Sequence, residues 1–454
     1  MGQYIISAAD FIWGTPILIL LLGGGFFFLA YSRLMPLRYI GHALQIMRGK
    51  YDNPDEPGLL KHYQALSTAL AGTIGMGNIS GVAVAIATGG PGAMFWMWIS
   101  ALLGISTKYF ECTLAVMFRG KDSNGIIQGG PMYFITEGLG QRWKPMAVFF
   151  SLAGMIGVLP LFQANQLTQI LGDVIFAPMM GETGFMTNLY IGLAISGIVS
   201  LVIFGGIKRI GSVTGRVVPA MVILYSVSVL VIIISNYEHI IPSFRLIFED
   251  AFTGNAVLGG SLGSLIITGV RRASFSNEAG LGTASMAHGA AKTNEPVREG
   301  LIAMLGPIID TMIVCTMTAL VLIITGVWNN PSVDGVSVTT MAFSESFPGI
   351  GKYILLTCVL FFSLSTMFAY PYYGMKCASF IVGTRKAKYY NVLYIGSVIL
   401  GAVAQISVVI SMIDLAFALM AFPTMIAALL LSPKVMRASR EYFKRNFKSV
   451  PAKN

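Results

Sequence analysis

The sequence predicts an all-α polytopic membrane protein. Of its 454 residues, 55% are hydrophobic and 11% are charged, whereas soluble domains carry roughly 25% charged residues. The apolar residues form runs such as Val218–Ser235 and Ile309–Val327, and about 20 residues are enough for a helix to cross a membrane. These runs do not alternate over about ten residues, as the strands of a membrane β-barrel do.

A hydropathy scan predicts eleven membrane helices, and no soluble domain of useful size remains between them. The first span is preceded by Asp10 and not by Lys or Arg, so we expect no cleaved signal peptide. The predicted spans are 12–33, 63–88, 92–118, 145–172, 189–206, 213–235, 256–271, 300–327, 351–378, 391–411 and 413–432.

Lysine and arginine are distributed unevenly between the two sides of the membrane. If the N-terminus is outside the cell, 27 of these 30 residues are cytoplasmic, and the opposite orientation would reverse the ratio. The positive-inside rule therefore predicts a multi-pass plasma-membrane protein with a cytoplasmic C-terminus. The net charge of +10 reflects this topology and does not indicate nucleic-acid binding. We expect the basic tail 433–454 to lie near anionic membrane lipid, and a role for it in binding a partner stays open.

Enzyme chemistry has little support in the sequence. The four cysteines show no C-x-x-C spacing, and the histidines His42, His62, His239 and His288 all lie at or beyond the ends of predicted spans. An intramembrane hydrolase or lipid transferase would need a nucleophile with a base, or a metal site. We therefore keep a polytopic membrane enzyme as a minor alternative and expect no organic cofactor.

The segment "AGTIGMGNISG" (Ala71–Gly81) interrupts the second predicted span with four glycines and Asn78. The glycines could serve close packing between helices. Alternatively, the helix unwinds near Gly75–Asn78 and frees amides and carbonyls that are costly to leave unsatisfied in hydrocarbon. The two half-helix ends carry opposite partial charges, so a carboxylate and a sodium ion could satisfy them together.

A second glycine-rich segment lies in the seventh span, where Gly259, Gly260, Ser261 and Gly263 are close together. Two interrupted spans at corresponding positions indicate a transporter built from inverted repeats. Spans 2–6 and 7–11 would form these repeats of five helices each, at residues 63–235 and 254–432. An odd number of spans per repeat inverts the second one, and residues 1–62 would add a peripheral N-terminal helix and a connector.

Two further features suggest polar groups inside the membrane. In span 9, Phe362, Ser365 and Thr366 share one helical face, where the hydroxyls could bind a cation or simply their own i−4 carbonyls. In span 4, after Pro160, we place Phe162, Gln163 and Gln166 towards a central pocket.

Four ionisable residues need an interpretation as well. Lys108 and Glu111 are three residues apart and predict a structural ion pair. Asp310 has no cation close in sequence and is either functional or hydrogen-bonded to Ser or Thr of a neighbouring span. We expect Glu278 to be solvated in the cytoplasm.

Three long motifs resemble those of the alanine or glycine:cation symporter family. They are "GTIGMGNISGVA", "GGPGAMFWMWISALLG" (Gly89–Gly104) and "FSNEAGLGTASMAHGAAKTNEPVREG" (Phe275–Gly300), and the likeness covers essentially the whole chain. The resemblance implies a LeuT-like fold and a sodium-coupled importer of alanine or glycine, coupled to protons in some members. Another proton-coupled LeuT-like amino-acid transporter is the alternative.

The resemblance also implies roles for the residues of the first interruption. The amides of Met76 and Gly77, beside Gly75, would meet the carboxylate of a small neutral amino acid. The carbonyl of Thr73 and the side chain of Asn78 would serve its amine or a second sodium ion.

A sodium site is implied between spans 2 and 9. The carbonyls of Ala71, Ile74 and Phe362 would form it with Ser365 and Thr366, and Thr366 would also line the substrate site. Phe362 stands where a small residue is common in that fold.

For the second interruption, Ser261-Leu262-Gly263 resembles the corresponding break, and the carbonyls of Gly259 and Gly260 would accept the substrate amine. The motif "NEAGLG" further along (Asn277–Gly282) is either a cytoplasmic gate or part of the pocket. A single chain would form the transport unit and work by alternating access, driven by sodium.

Overall fold

The computed structural model describes residues 2–181, 183–204, 206–252, 261–330 and 333–447. Within these ranges the chain is almost entirely helical, and the predicted all-α class is confirmed. The strands in these ranges form one short antiparallel pair, β1 (Gly120–Lys121) and β2 (Ile127–Gln128), with Gly120 opposite Gln128.

Seventeen longer helical elements organise the described chain, and several contain short π- or 3₁₀-helical turns. They are α1 (Gly2–Ile12), α2 (Thr15–Tyr31), α3 (Ile40–Met47), α4 (His62–Thr73), α5 (Gly77–Gly89), α6 (Ala93–Met117), α7 (Gln141–Met180), α8 (Phe185–Ile203), α9 (Gly206–Ser235), α10 (Ile240–Phe252), α11 (Ser261–Asn277), α12 (Thr283–His288), α13 (Pro296–Thr325), α14 (Val336–Ser346), α15 (Gly351–Ala387), α16 (Tyr390–Val403) and α17 (Ile406–Phe447). Shorter helical turns are Met35–Arg38, Pro131–Tyr133, Phe134–Leu139, Tyr237–His239 and Val327–Asn329.

Six of the described helices are long and apolar enough to cross a membrane, namely α7, α8, α9, α13, α15 and α17. Two bent pairs raise the number to eight if each pair is one span: α1 with α2, bent by 47°, and α4 with α5, bent by 53°. The molecule is therefore a multi-pass helical membrane protein. The other three predicted spans coincide with α6, α11 and α16, and the count of eleven remains a prediction.

Two of these three helices, α16 and α6, differ from the six membrane-crossing helices in length or in charge. The 14 residues of α16 extend about 21 Å, less than the hydrocarbon core of about 30 Å. The helix α6 has 25 residues but carries Lys108 and Glu111 in its interior.

The helix α11 continues past Arg271 and Arg272 to Asn277, which corrects the predicted end of the seventh span. The Arg271 guanidinium lies 2.8 Å from Asp10 of α1 and 2.6 Å from Asp414 of α17. Arg271 therefore lies beside the N-terminal helix, and both arginines are part of α11 and not of a loop. On the predicted topology 25 of the 30 basic residues then remain cytoplasmic, so the bias still favours an outer N-terminus.

Elsewhere in the molecule, the segment before α4 is bound to the segment after α12. Leu60 and Ala291 form an isolated parallel bridge. Arg119, directly after α6, donates hydrogen bonds to the carbonyls of Gly289 (2.8 Å), Thr293 (2.8 Å), Pro57 (3.3 Å) and Ala291. One guanidinium thus satisfies carbonyls from two distant parts of the chain.

We expect Arg119→Gln to lower the stability of the full-length protein by about 1–3 kcal/mol, because carbonyls would lose a charged donor that the amide cannot replace. The measurement is the temperature at which half of the detergent-purified protein stays monodisperse after heating. Arg385→Gln is the control, since Arg385 is exposed at the end of α15. Equal midpoints for the two variants would contradict this role.

Candidate functional site

The helix α4 is interrupted at the segment that the sequence singled out. It ends at Thr73, Ile74 is extended (φ −73°, ψ 93°), and the chain becomes helical again at Gly77. Asn78 spans the gap, because its Oδ1 accepts from the amide of Gly75 (2.9 Å) and its own backbone amide donates to the Gly75 carbonyl (3.1 Å). The side chain of Asn78 therefore replaces part of the hydrogen bonding that the interrupted helix loses.

Two glycines of this interruption permit close contacts with neighbouring helices. A Cβ atom on Gly75 would lie 2.5 Å from the Thr366 hydroxyl of α15. One on Gly77 would lie 3.2 Å from the Phe275 ring and 3.3 Å from Cα of Ser276, both on α11. The interruption is thus packed between α15 and the C-terminal turn of α11.

The carboxylate of Asp310 is the centre of a buried hydrogen-bond network. Its Oδ1 accepts from Asn78 Nδ2 (2.7 Å), and its Oδ2 accepts from Ser276 (2.6 Å) and Thr311 (2.8 Å). Asn277 donates to Thr311 (3.0 Å), and all these side chains are at most 2% exposed. The predicted hydrogen bond between Asp310 and a serine or threonine of a neighbouring helix is confirmed.

The carbonyl of Asn78 also has a side-chain partner. The hydroxyl of Thr318 on α13 donates to it (2.7 Å) and lies 2.6 Å from the hydroxyl of Tyr225 on α9. The start of α5 is therefore fixed to α13 at two points, Asp310 and Thr318.

The structure brings together several groups of the predicted sodium site. The Thr366 hydroxyl lies 3.1 Å from the carbonyl oxygen of Ala71 and 3.2 Å from that of Phe362. The Ser365 hydroxyl donates to the same Phe362 carbonyl (3.0 Å). Ile74 directly precedes Gly75, against which Thr366 packs. Thr366 thus makes the local i−4 contact and also reaches the interrupted helix.

The three residues predicted from α7 have different surroundings. Gln166 Oε1 accepts from the Ser80 hydroxyl of α5 and from the Val336 amide (2.8 Å) at the start of α14. The ring of Phe162 meets Phe275 edge to face at 4.9 Å, next to Gly77. Gln163 is 4% exposed, and its Oε1 has no hydrogen-bond partner among the described residues.

The second interruption that the structure describes lies further along the chain than the predicted one. The chain is helical through Ser261–Asn277, so Gly263 lies inside a helix, where it is exposed. The described break comes later, where Gly280 (φ 86°) and Gly282 (φ 83°) have left-handed backbones that glycine adopts without steric cost. The described helix therefore includes Gly263, which a helix tolerates at a cost of about 1 kcal/mol, and a break directly before Ser261 stays a prediction. Gly259, Gly260 and the side chain of Ser261 lie outside the described part of the chain.

Glu278 opens this second break and is not solvated, which corrects the sequence prediction. It is 1% exposed, has φ 55°, and accepts hydrogen bonds from Tyr370 of α15 (2.6 Å) and from Thr283. Tyr370 follows Thr366 by one helical turn. The helix α15 therefore contacts the first break through Thr366 and the second through Tyr370.

The predicted ion pair between Lys108 and Glu111 was also wrong. Both side chains are buried, but they form no ion pair within 4.0 Å, and the Lys108 ammonium has no hydrogen-bond partner among the described residues. The two Glu111 carboxylate oxygens are likewise buried without a hydrogen-bond partner among the described residues.

Two ionic clusters flank the interruptions. On the side of the N-terminal helix, Arg271 and Arg272 both contact Asp414, and Arg272 lies over the Phe275 ring at 5.4 Å. On the other side, the Glu299 carboxylate contacts Nδ1 of His62, at the start of α4, and Nδ1 of His288 (2.6 Å), at the end of α12.

Sequence reasoning missed several residues that contact the interruptions. They are Phe275, Ser276, Thr311, Thr318 and Tyr370. The alternating glycines of "NEAGLG" were a usable signal for the second break, whereas the contacts from α13 and α15 had none.

No group of three or more His, Cys, Asp and Glu side chains that could hold a metal ion occurs among the described residues. The oxygen atoms around Thr366 are a hydroxyl and main-chain carbonyls, which suit a hard cation better than a transition metal.

Comparisons with known proteins place the chain in one family. The family model described as the sodium:alanine symporter family matches residues 1–453. The sodium/alanine symporter AgcS of Methanococcus maripaludis is 38% identical over 442 residues, which cover 95% of each chain. The putative sodium/proton-dependent alanine carrier protein YrbD of Bacillus subtilis is 33% identical, with 97% of this chain and 92% of YrbD covered.

A third relative is named for a larger substrate. The probable sodium/glutamine symporter GlnT of Bacillus subtilis is 31% identical, with 97% of this chain and 90% of GlnT covered. These matches confirm the resemblance seen in the sequence motifs: the chain belongs to the sodium:alanine symporter family.

Proposed function

We propose that the protein imports a small neutral amino acid, with alanine as the first candidate, together with sodium. The observation that carries the proposal is the interruption between α4 and α5. It contacts the Thr366 hydroxyl on one side and, through Asn78, the Asp310 carboxylate on the other. Free main-chain groups inside a membrane need partners, and a transported ion and amino acid would supply them.

The proposed sodium site lies at the C-terminal end of α4. It comprises the carbonyls of Ala71, Ile74 and Phe362 with the hydroxyls of Ser365 and Thr366. The C-terminal end of a helix carries a partial negative charge, which favours a cation there. The contacts of Thr366 with the Ala71 and Phe362 carbonyls, at 3.1 and 3.2 Å, support this arrangement.

The proposed amino-acid site lies at the N-terminal end of α5. The amides of Met76 and Gly77 are at the positive end of that helix, where a carboxylate is favoured. Gly75, Thr73 and Asn78 would surround the amine, and Asn78 with Thr73 is also the candidate for a second sodium ion. The nearby carboxylate of Asp310 supports a cationic group at this position.

The walls of the amino-acid site come from α7 and α11. Gln163 and Gln166 would supply polar groups, and Phe162 with Phe275 would limit the size of the substrate side chain. In this proposal Phe275 and Ser276 take the place that was predicted for Gly263. The edge-to-face contact of the two rings beside Gly77 supports a narrow site.

A sodium gradient would supply enough energy for accumulation. One sodium ion moving down a potential of 100 mV releases about 2.3 kcal/mol, and a tenfold concentration gradient adds about 1.4 kcal/mol. With one-to-one coupling, these two contributions would sustain roughly a 500-fold gradient of a neutral zwitterion.

We infer an alternating-access cycle in a single chain with five-plus-five inverted repeats and an outer N-terminus. The two interrupted elements, α4–α5 and α11–α12, support the repeat, because α4–α5 occupies the second predicted span and α11 begins within the seventh. The Arg272–Asp414 contact would close the outer side, and the His62–Glu299–His288 cluster would close the cytoplasmic side. Each cluster connects an interrupted helix to another helix, so opening either side would require its separation.

Proton coupling is the alternative, because one relative is named as a sodium/proton-dependent carrier. The deciding experiment is uptake of radiolabelled alanine into proteoliposomes with an imposed sodium gradient. We expect uptake to require sodium at constant pH. Equal uptake in sodium and in choline would refute sodium coupling, and uptake driven by a pH gradient in choline would favour the alternative.

We expect Thr366→Ala to raise the sodium concentration for half-maximal uptake about tenfold, the equivalent of about 1.4 kcal/mol, because one ligand is lost. The control is Thr357→Ala, which removes an exposed hydroxyl of the same helix that bonds only locally, to the Tyr353 carbonyl. An unchanged sodium dependence in Thr366→Ala would show that the ion binds elsewhere.

We expect Asp310→Asn to reduce sodium-driven uptake at least tenfold, about 1.4 kcal/mol or more. The amide is neutral, and its NH₂ group cannot accept the hydrogen bonds that Ser276 and Thr311 donate. Uptake is compared at equal amounts of monodisperse protein, with Asp55→Asn, an exposed loop position, as the control. Wild-type uptake in Asp310→Asn would rule out a role for its charge.

Substrate size is tested by competition in the same assay. We expect unlabelled alanine and glycine to compete with labelled alanine, and leucine to compete at least tenfold less well, because the Phe162–Phe275 wall excludes a branched side chain. Glutamine is included because one relative is named for it. Competition by leucine as strong as that by alanine would contradict the narrow site.

A further inference from the structure

A cavity of about 500 Å³ lies where the end of α2 meets the C-terminal part of α17. Its wall includes three arginines, Arg33 and Arg38 after α2 and Arg440 on α17, and no acidic residue. None of the three forms an ion pair within 4.0 Å with a described residue, although other arginines of the chain do. Three unneutralised guanidinium groups around one cavity favour an anionic ligand.

The cavity is built by packed segments that are far apart in sequence. Arg33 (φ 54°) and Leu34 (φ 60°) adopt left-handed backbones, which non-glycine residues rarely do and which recur at functional sites. The rings of Tyr39 and Phe443 stack at 3.9 Å beside it. This stack holds the turn after α2 against α17, so the backbones that carry the arginines are kept next to each other.

The position along the helices places the cavity at the membrane surface. Tyr31 is the last residue of the apolar helix α2. Met436, in the wall of the cavity, follows the start of α17 by 30 residues, or about 45 Å of helix, which exceeds a hydrocarbon core of about 30 Å. The arginines therefore lie at the depth of lipid headgroups, on the side of the C-terminus.

We propose that this cavity binds the phosphodiester of an anionic phospholipid, with Arg33, Arg38 and Arg440 as its ligands. Guanidinium groups match phosphate oxygens in a bidentate geometry, and basic pockets at this depth bind lipid headgroups. Free phosphate shares this chemistry. The lipid is favoured because Met436 and Phe443 in the same wall give its glycerol and acyl carbons an apolar contact. The site is separate from the proposed transport site.

The test uses full-length protein in detergent and measures binding of dihexanoyl phosphatidylglycerol, dihexanoyl phosphatidylcholine and inorganic phosphate by microscale thermophoresis. We expect phosphatidylglycerol to bind at least tenfold more tightly than either of the other two. Equal binding of the two lipids would overturn the proposal, because the arginines would then confer no selectivity. Phosphate binding as tight as that of phosphatidylglycerol would overturn the lipid as the ligand.

The variants Arg440→Glu and Arg437→Glu form a matched pair, since both change one exposed arginine of α17 but only Arg440 lines the cavity. We expect Arg440→Glu to weaken phosphatidylglycerol binding at least tenfold and Arg437→Glu to weaken it less than threefold. Arg33→Gln, in the other segment, should weaken it at least threefold. Equal losses in Arg440→Glu and Arg437→Glu would show an effect of net charge alone and would overturn the site. Melting temperatures without lipid verify that each variant is folded.

Discussion

The buried carboxylate of Asp310 holds the centre of this molecule together. It accepts hydrogen bonds from Asn78, which closes the gap between α4 and α5, and from Ser276, near the end of α11. A carboxylate in a membrane interior is costly unless its acceptor positions are filled. Asp310 therefore requires both interrupted helices to be in place, and the positions of those helices determine where Thr366 and Gln166 meet them.

The sequence was sufficient for the fold class and the family, because composition and long motifs carry both. It was also sufficient for the first interruption. The Asn78 side chain needs hydrogen-bond partners in an apolar run, and backbone groups of the neighbouring glycines can serve as such partners. For the second interruption, a single glycine inside the predicted segment does not by itself break a helix, and a break is present further along the chain. Gly263 is accommodated within α11, whereas Gly280 and Gly282 adopt backbones that other residues would resist.

Contacts between distant helices were beyond sequence reasoning. The spacing of Lys108 and Glu111 on one helix suggested a pair, but the two side chains are buried without a hydrogen bond to each other. Glu278 was assigned to a solvated loop, but Tyr370 of α15 and Thr283 enclose it. The hydroxyls that bind Glu278 come from other helices, and one sequence alone gives no information on which elements are neighbours.

The charges around the two breaks favour a cation as the coupling ion. Asp310, Glu278 and Glu111 are buried there, and Lys108 is the cation that interacts with all three over distances longer than an ion pair. An ionised carboxylate in a region of low dielectric is stabilised by a cation beside it, and a buried carboxyl group can take up a proton instead. A zwitterion adds no net charge to such a region, whereas a sodium ion or a proton that accompanies it supplies one positive charge.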